Sequence, residues 1–106
     1  MTPNLHPLML AATLLAAGST AIAQDAATLR SRSLAANCAQ CHGTDGQAPA
    51  GSVMPSLAGM PAPYLAEQLL AFRSGMRPGS VMPQLAKGYS DAQIDQLARY
   101  FASVKK

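Results

Sequence analysis

Tryptophan is absent from this chain, and two phenylalanines with three tyrosines are all its aromatic residues. Few bulky rings in a small chain mean a thin side-chain core, so other apolar mass must be found. Thiols and imidazoles are as scarce: Cys38 and Cys41 are the only cysteines, and His6 and His42 the only histidines. A structural zinc site needs four ligands, which Cys38, Cys41 and His42 cannot supply. No β-branched run leads into Cys38, as a redox dithiol in a βαβ unit requires. There is no Ser, His and Asp grouping, no pair of carboxylates and no phosphate loop, so side chains alone carry no enzyme chemistry. A basic surface interleaved with aromatics is also missing, which argues against nucleic acid.

What is present is concentrated in Cys38-Ala39-Gln40-Cys41-His42. This is the CxxCH arrangement that attaches c-type haem. Two thiols add across the two vinyl groups, and the adjoining imidazole then lies under the ring, where one nitrogen reaches the iron. A single CxxCH predicts one covalent haem c, which supplies the missing apolar mass. The formal charge of +3 falls to about +1 once two propionates are ionised, so the apparent basicity points to no acidic partner.

Leu8 to Ala23 is an apolar run ending in Ala21-Ile22-Ala23, short for a membrane span and shaped like a secretory signal. Met1 to Pro7 has no Lys or Arg, an unusual start for such a leader; an uncleaved anchor is the alternative. The expected organisation is a signal peptide over residues 1–23 and one domain over residues 24–106. Export agrees with haem attachment outside the cytoplasm, so the expected compartment is the periplasm, with no permanent membrane insertion after cleavage.

The mature stretch reads as helices and loops with no convincing strand. Ala26 to Asn37 is expected to be helical and to lead into the haem motif, with Leu34 on the face of Cys38. Gly43 to Gly59, dense in Gly and Pro, is expected to wrap as a loop and bring backbone close to a flat ligand. Pro63 to Ser74 reads as a helix with Pro63 in its first turn, Leu65, Leu69 and Phe72 on one face, and Gly75 as its stop. Ser90-Asp91-Ala92-Gln93 is a capping box followed by Ile94, Leu97, Ala98 and Phe101 at helical spacing. Tyr64, Phe72, Tyr89, Tyr100 and Phe101 read as core or haem-packing residues, and Arg73, Arg77, Lys87 and Arg99 as scattered surface cations.

Loss of His6 with the leader leaves His42 alone, which excludes bis-histidine ligation within one chain and leaves Met, Lys or no second ligand. Of Met54, Met60, Met76 and Met82, Met82 best meets the demand for a thioether on an extended segment between two helices, because Pro83 biases it away from helical angles. Met76 is the nearest rival, before Arg77-Pro78-Gly79, and Met54 stands before Pro55.

The order of leading helix, CxxCH, Gly and Pro loop, middle helix, Met loop and closing helix resembles a class I cytochrome c over about Leu34 to Val104. Asn37 to Thr44, Phe72-Arg73-Ser74-Gly75, Val81-Met82, Ala86-Lys87-Gly88-Tyr89-Ser90 and Ala98-Arg99-Tyr100-Phe101 are similar to the cytochrome subunit of flavocytochrome c sulfide dehydrogenase. The resemblance implies an all-α fold of three or more helices around the haem, thioether bonds at Cys38 and Cys41, His42 as proximal ligand and Met82 as distal ligand. It also implies that the Pro55 carbonyl accepts a hydrogen bond from the second nitrogen of His42, although a turn proline needs no such role. One departure is the lack, before the motif, of the glycine that many class I cytochromes place where two helices cross.

An iron held from both sides has no open position, which predicts an electron carrier rather than an oxygen or peroxide enzyme. The resemblance implies a subunit that accepts electrons from an FAD flavoprotein sulfide dehydrogenase subunit and passes them to a downstream acceptor. A free soluble monohaem carrier shuttling between respiratory complexes is the alternative. A five-coordinate haem protein would require Met82 not to bind.

Overall fold

The computed structural model describes residues 25–106. The expected leader, residues 1–23, lies outside the described residues. The chain divides into two compact units, residues 1–30 and 31–106; in the first, the described residues 25–30 are helical. The second is described by itself below.

The architecture is all-helical, with no strand among the described residues. Helix α1, which in this unit covers residues 31–35, tightens into a 3-10 turn at Ala36–Cys38 and resumes as the single turn α2, Ala39–His42. A second 3-10 turn follows at Thr44–Gly46. Helix α3 covers Ala62–Ser74, α4 Met82–Lys87 and α5 Asp91–Ser103, and α3 packs against both α4 and α5.

Local chemistry accounts for the helix ends. Pro63 lies in the first turn of α3, where its missing N–H is not needed. Gly75, at φ 83°, ends α3 in the left-handed conformation that costs glycine least. Ser90 and Gln93 form the expected capping box: Ser90 Oγ accepts from Gln93 N at 3.2 Å, and Gln93 Oε1 accepts from Ser90 N at 3.0 Å.

The apolar stripe of α5 builds the core. Leu97, Ala98 and Phe101 cluster with Ala35 of α1 and Leu65 of α3, while Leu69, Tyr89 and Tyr100 pack against them from partly buried positions. Ala35, 5% exposed, is the small residue that the segment before the motif contributes to this cluster. Gln96 of α5 donates to Ser31 Oγ of α1 at 3.0 Å. Tyr64 does not join the core; it is 46% exposed, because it falls on the outer face of α3, one residue before the buried Leu65.

One expectation fails in the stretch after Gly75. Met82 does not lie on an extended segment; it begins α4, with Pro83 in the first turn. A proline disfavours helix in the residue before it, but the first turn requires no donor from either position. Gln84 and Leu85 supply the first bonds, both to Val81 O, at 3.0 and 3.1 Å. Ala86, fully buried, anchors this short helix.

Candidate functional site

The sequence places Cys38, Cys41 and His42 within one and a half turns, and the structure keeps them there, on the 3-10 turn and α2. Cys38 is half-buried and packs against the core cluster, whereas Cys41 is exposed. The two are not joined in a disulfide. Burial, with Cys41 beside it, pushes the Cys38 thiol above its ordinary pKa. Among the described residues no group of three or more His, Cys, Asp or Glu is placed to hold a metal ion.

His42 is buried, 9% exposed. Its Nδ1 lies 2.7 Å from the Pro55 carbonyl oxygen. A carbonyl only accepts, so Nδ1 is the donor, which leaves Nε2 as the ring nitrogen able to coordinate. No buried side-chain nitrogen or oxygen among the described residues lacks a partner. Nε2, with the ring's hydrogen bond made through Nδ1, is therefore reached from the surface. The donor set suits an iron porphyrin: an oriented imidazole with its free nitrogen accessible, beside two thiols on the same turn.

The Pro55 carbonyl is held in place by its neighbours. Gly46 O accepts from Ser56 Oγ at 2.7 Å, Leu57 N at 2.8 Å and Ala58 N at 3.1 Å, which closes the loop that carries Pro55. The loop is pinned to α5 in turn. Gly59 N donates to Phe101 O at 2.8 Å, and Tyr100 donates to Asp45 Oδ1 at 2.5 Å. Asp45 adopts φ 52°, a left-handed conformation that aspartate tolerates better than most residues. Within this loop the Gly46 backbone passes close to the Phe101 ring, a core contact.

Met82 is half-buried at the start of α4. Met76, its rival, is 86% exposed, and Met54 42%. The surface cations are largely engaged within the chain. Arg73 donates to Tyr89 O at 3.1 Å and pairs with Asp91 at 2.5 Å. Arg77 bonds Gln68 and lies over the Phe72 ring; Arg99 pairs with Asp95 one turn before it. The Ala86-Lys87-Gly88-Tyr89-Ser90 stretch is a structural joint: Ala86 is buried, Gly88 ends α4, the Tyr89 carbonyl receives Arg73 and Ser90 caps α5. Sequence reading missed Asp45, Ser56 and Arg73 as supports, since each acts through a partner at least ten residues away.

The family model described as cytochrome c oxidase, cbb3-type, subunit III matches residues 25–101. The chain belongs to this family of c-type cytochromes. Its cofactor is haem c, held covalently, and its work is electron transfer. The cytochrome is similar to the cytochrome subunit of sulfide dehydrogenase of Chlorobaculum tepidum, 40% identical over 73% of this chain and 68% of that one. It is also similar to a thiosulfate dehydrogenase electron acceptor of Thiomonas intermedia, 44% identical over 67% of this chain but only 33% of that one. Among solved structures it is similar to cytochrome c4 of Acidithiobacillus ferrooxidans, with a TM-score of 0.59 and 39% identity over 63% of this chain and 38% of that one. The fold is that of a class I cytochrome c. The chain thus spans about two thirds of the first relative and well under half of the other two. Among the described residues no helix is long and apolar enough to cross a membrane.

Proposed function

We propose that this cytochrome is the periplasmic electron-accepting subunit of a sulfide-oxidising complex, docked to an FAD flavoprotein subunit and passing electrons on to a higher-potential acceptor. In this reading residues 1–23 are removed on export and residues 24–106 form the working domain. Cys38 and Cys41 would hold the porphyrin by thioether bonds, with His42, through Nε2, as the proximal ligand and Met82 as the distal one. When bound, the haem supplies a single iron that cycles between ferric and ferrous states.

The chain's own residues orient and tune that centre. The observation that carries the assignment is the bond from Nδ1 of His42 to the Pro55 carbonyl, 2.7 Å long. It fixes the tautomer and the ring plane and raises the donor strength of Nε2. Ligation by the Met82 thioether together with that imidazole would favour the reduced state, which would suit an electron acceptor for a flavin.

Likeness to a sulfide dehydrogenase subunit over most of both chains supports the partner. So does the surface. Arg73, Arg77 and Arg99 are tied up internally, and a holo charge of about +1 gives little long-range steering, which a freely diffusing carrier relies on more than a docked subunit does. The test is purification of the native protein at moderate salt, followed by addition of sulfide. A flavoprotein in stoichiometric amount and fast haem reduction are expected. A flavin-free monomer that sulfide reduces no faster with the candidate flavoprotein than without it would establish the free shuttle instead.

A further inference from the structure

The connector between α3 and α4, residues 75–81, has no regular structure, yet it is tied to α3 at defined points. Arg77 N donates to Ala71 O at 3.0 Å. The Arg77 guanidinium bonds Gln68 Oε1 and stands 4.6 Å from the centroid of the Phe72 ring. All three of these partners are residues of α3.

Two residues further on, the backbone passes the edge of the same ring. A Cβ at Gly79 would lie 3.2 Å from Phe72 Cε1 and 3.2 Å from Pro83 Cδ. One aromatic ring therefore meets the connector twice, with its face to Arg77 and its edge to Gly79. Beyond the second contact is Pro83, the residue after Met82. Met76 and Val81, 86% and 56% exposed, add little packing of their own. A connector with so few contacts keeps much of its chain entropy unless something anchors it.

We propose that Arg77, folded over Phe72, is a positioning residue that holds the Met82 end of the connector against α3 and so determines how readily the distal ligand gives way. The inference rests on Met82 being that ligand. Stacking of a planar cation on a ring face is the contribution arginine makes and lysine matches poorly, since lysine keeps the charge but loses the flat surface and the fork of donors. Gly79 belongs to the same clamp through space: a methyl there must displace the Phe72 ring or Pro83.

The experiment uses ferric holoprotein titrated with exogenous imidazole, together with the near-infrared thioether band and far-UV circular dichroism. Arg77→Gln is expected to tighten imidazole binding about two- to fivefold, the cost of an exposed cation–π contact expressed as an equilibrium, with helix content unchanged. Arg77→Lys should fall between it and the parent, and Gly79→Ala should shift binding in the same direction. A lowered unfolding midpoint in Arg77→Gln with imidazole affinity unchanged would make the residue merely structural and overturn the proposal. Met82→Ala provides the separate check. If it binds imidazole much more tightly while the Arg77 and Gly79 variants do not, the clamp alone is wrong; if it binds no more tightly than the parent, the ligand assignment falls and the clamp with it.

Discussion

Gly46→Ala should destabilise the holoprotein by about 2–5 kcal/mol, the sum of a left-handed backbone penalty and overpacking. Gly46 is buried at φ 75°. A Cβ there would lie 2.7 and 2.9 Å from Phe101 Cδ1 and Cε1 and 3.0 Å from Leu57 Cβ. The Phe101 ring is 4% exposed and has little room to retreat. Gly75 provides the control, because it has φ 83° but nothing within 4 Å of its would-be Cβ. Gly75→Ala should therefore cost only the backbone penalty, about 1–2 kcal/mol. For a domain this small each kcal/mol is worth about 4–8 °C, so thermal unfolding followed by circular dichroism should separate the two variants by about 10 °C. Equal losses in Gly46→Ala and Gly75→Ala would refute the steric reasoning. The Gly46 carbonyl also closes the loop bearing Pro55, so the potential of Gly46→Ala should move while that of Gly75→Ala stays near the parent value.

Acid-acetone extraction should leave the haem on the parent polypeptide and release it from a Cys38→Ala, Cys41→Ala double variant; haem retained by the double variant would refute the thioether assignment. Ser90→Ala removes the cap of α5 and should cost about 1 kcal/mol in denaturant unfolding, with no change in potential. Burial and the hydrogen bond to Asp45 hold the Tyr100 phenol above its ordinary pKa. Its raised native pKa contributes stability that is complete below the pKa of an unfolded tyrosine, about 10, and is lost as pH rises through the native value. Tyr100→Phe should thus be less stable than the parent near neutral pH, and the gap should narrow in alkaline urea titrations; a gap that is constant with pH would disprove the Asp45 contribution.

The grouping of the candidate haem-binding residues was legible in the sequence because it is local. Cys38, Cys41 and His42 need only a helical turn to present two thiols and an imidazole together, and five consecutive residues specify that turn. The ends of α3 and α5 were legible for the same reason: Pro63, Gly75, Ser90 and Gln93 act within four residues of the backbone groups they satisfy. Tertiary structure decided what lies between. Whether Pro55 is a turn residue or the acceptor for His42 depends on Gly46, ten residues before Ser56, and Gly46 depends on Phe101 from the far end of the chain. Pro83 could equally disfavour or begin a helix, and burial of Ala86 against the rest of the fold favoured the helix at Met82. Arg73 and Arg77 read as surface charge in sequence because nothing near them predicts that a carbonyl at Tyr89 or the face of Phe72 will lie within reach. Each of these outcomes is set by a contact between segments, and the free energy of such a contact exists only once the chain between them has been ordered.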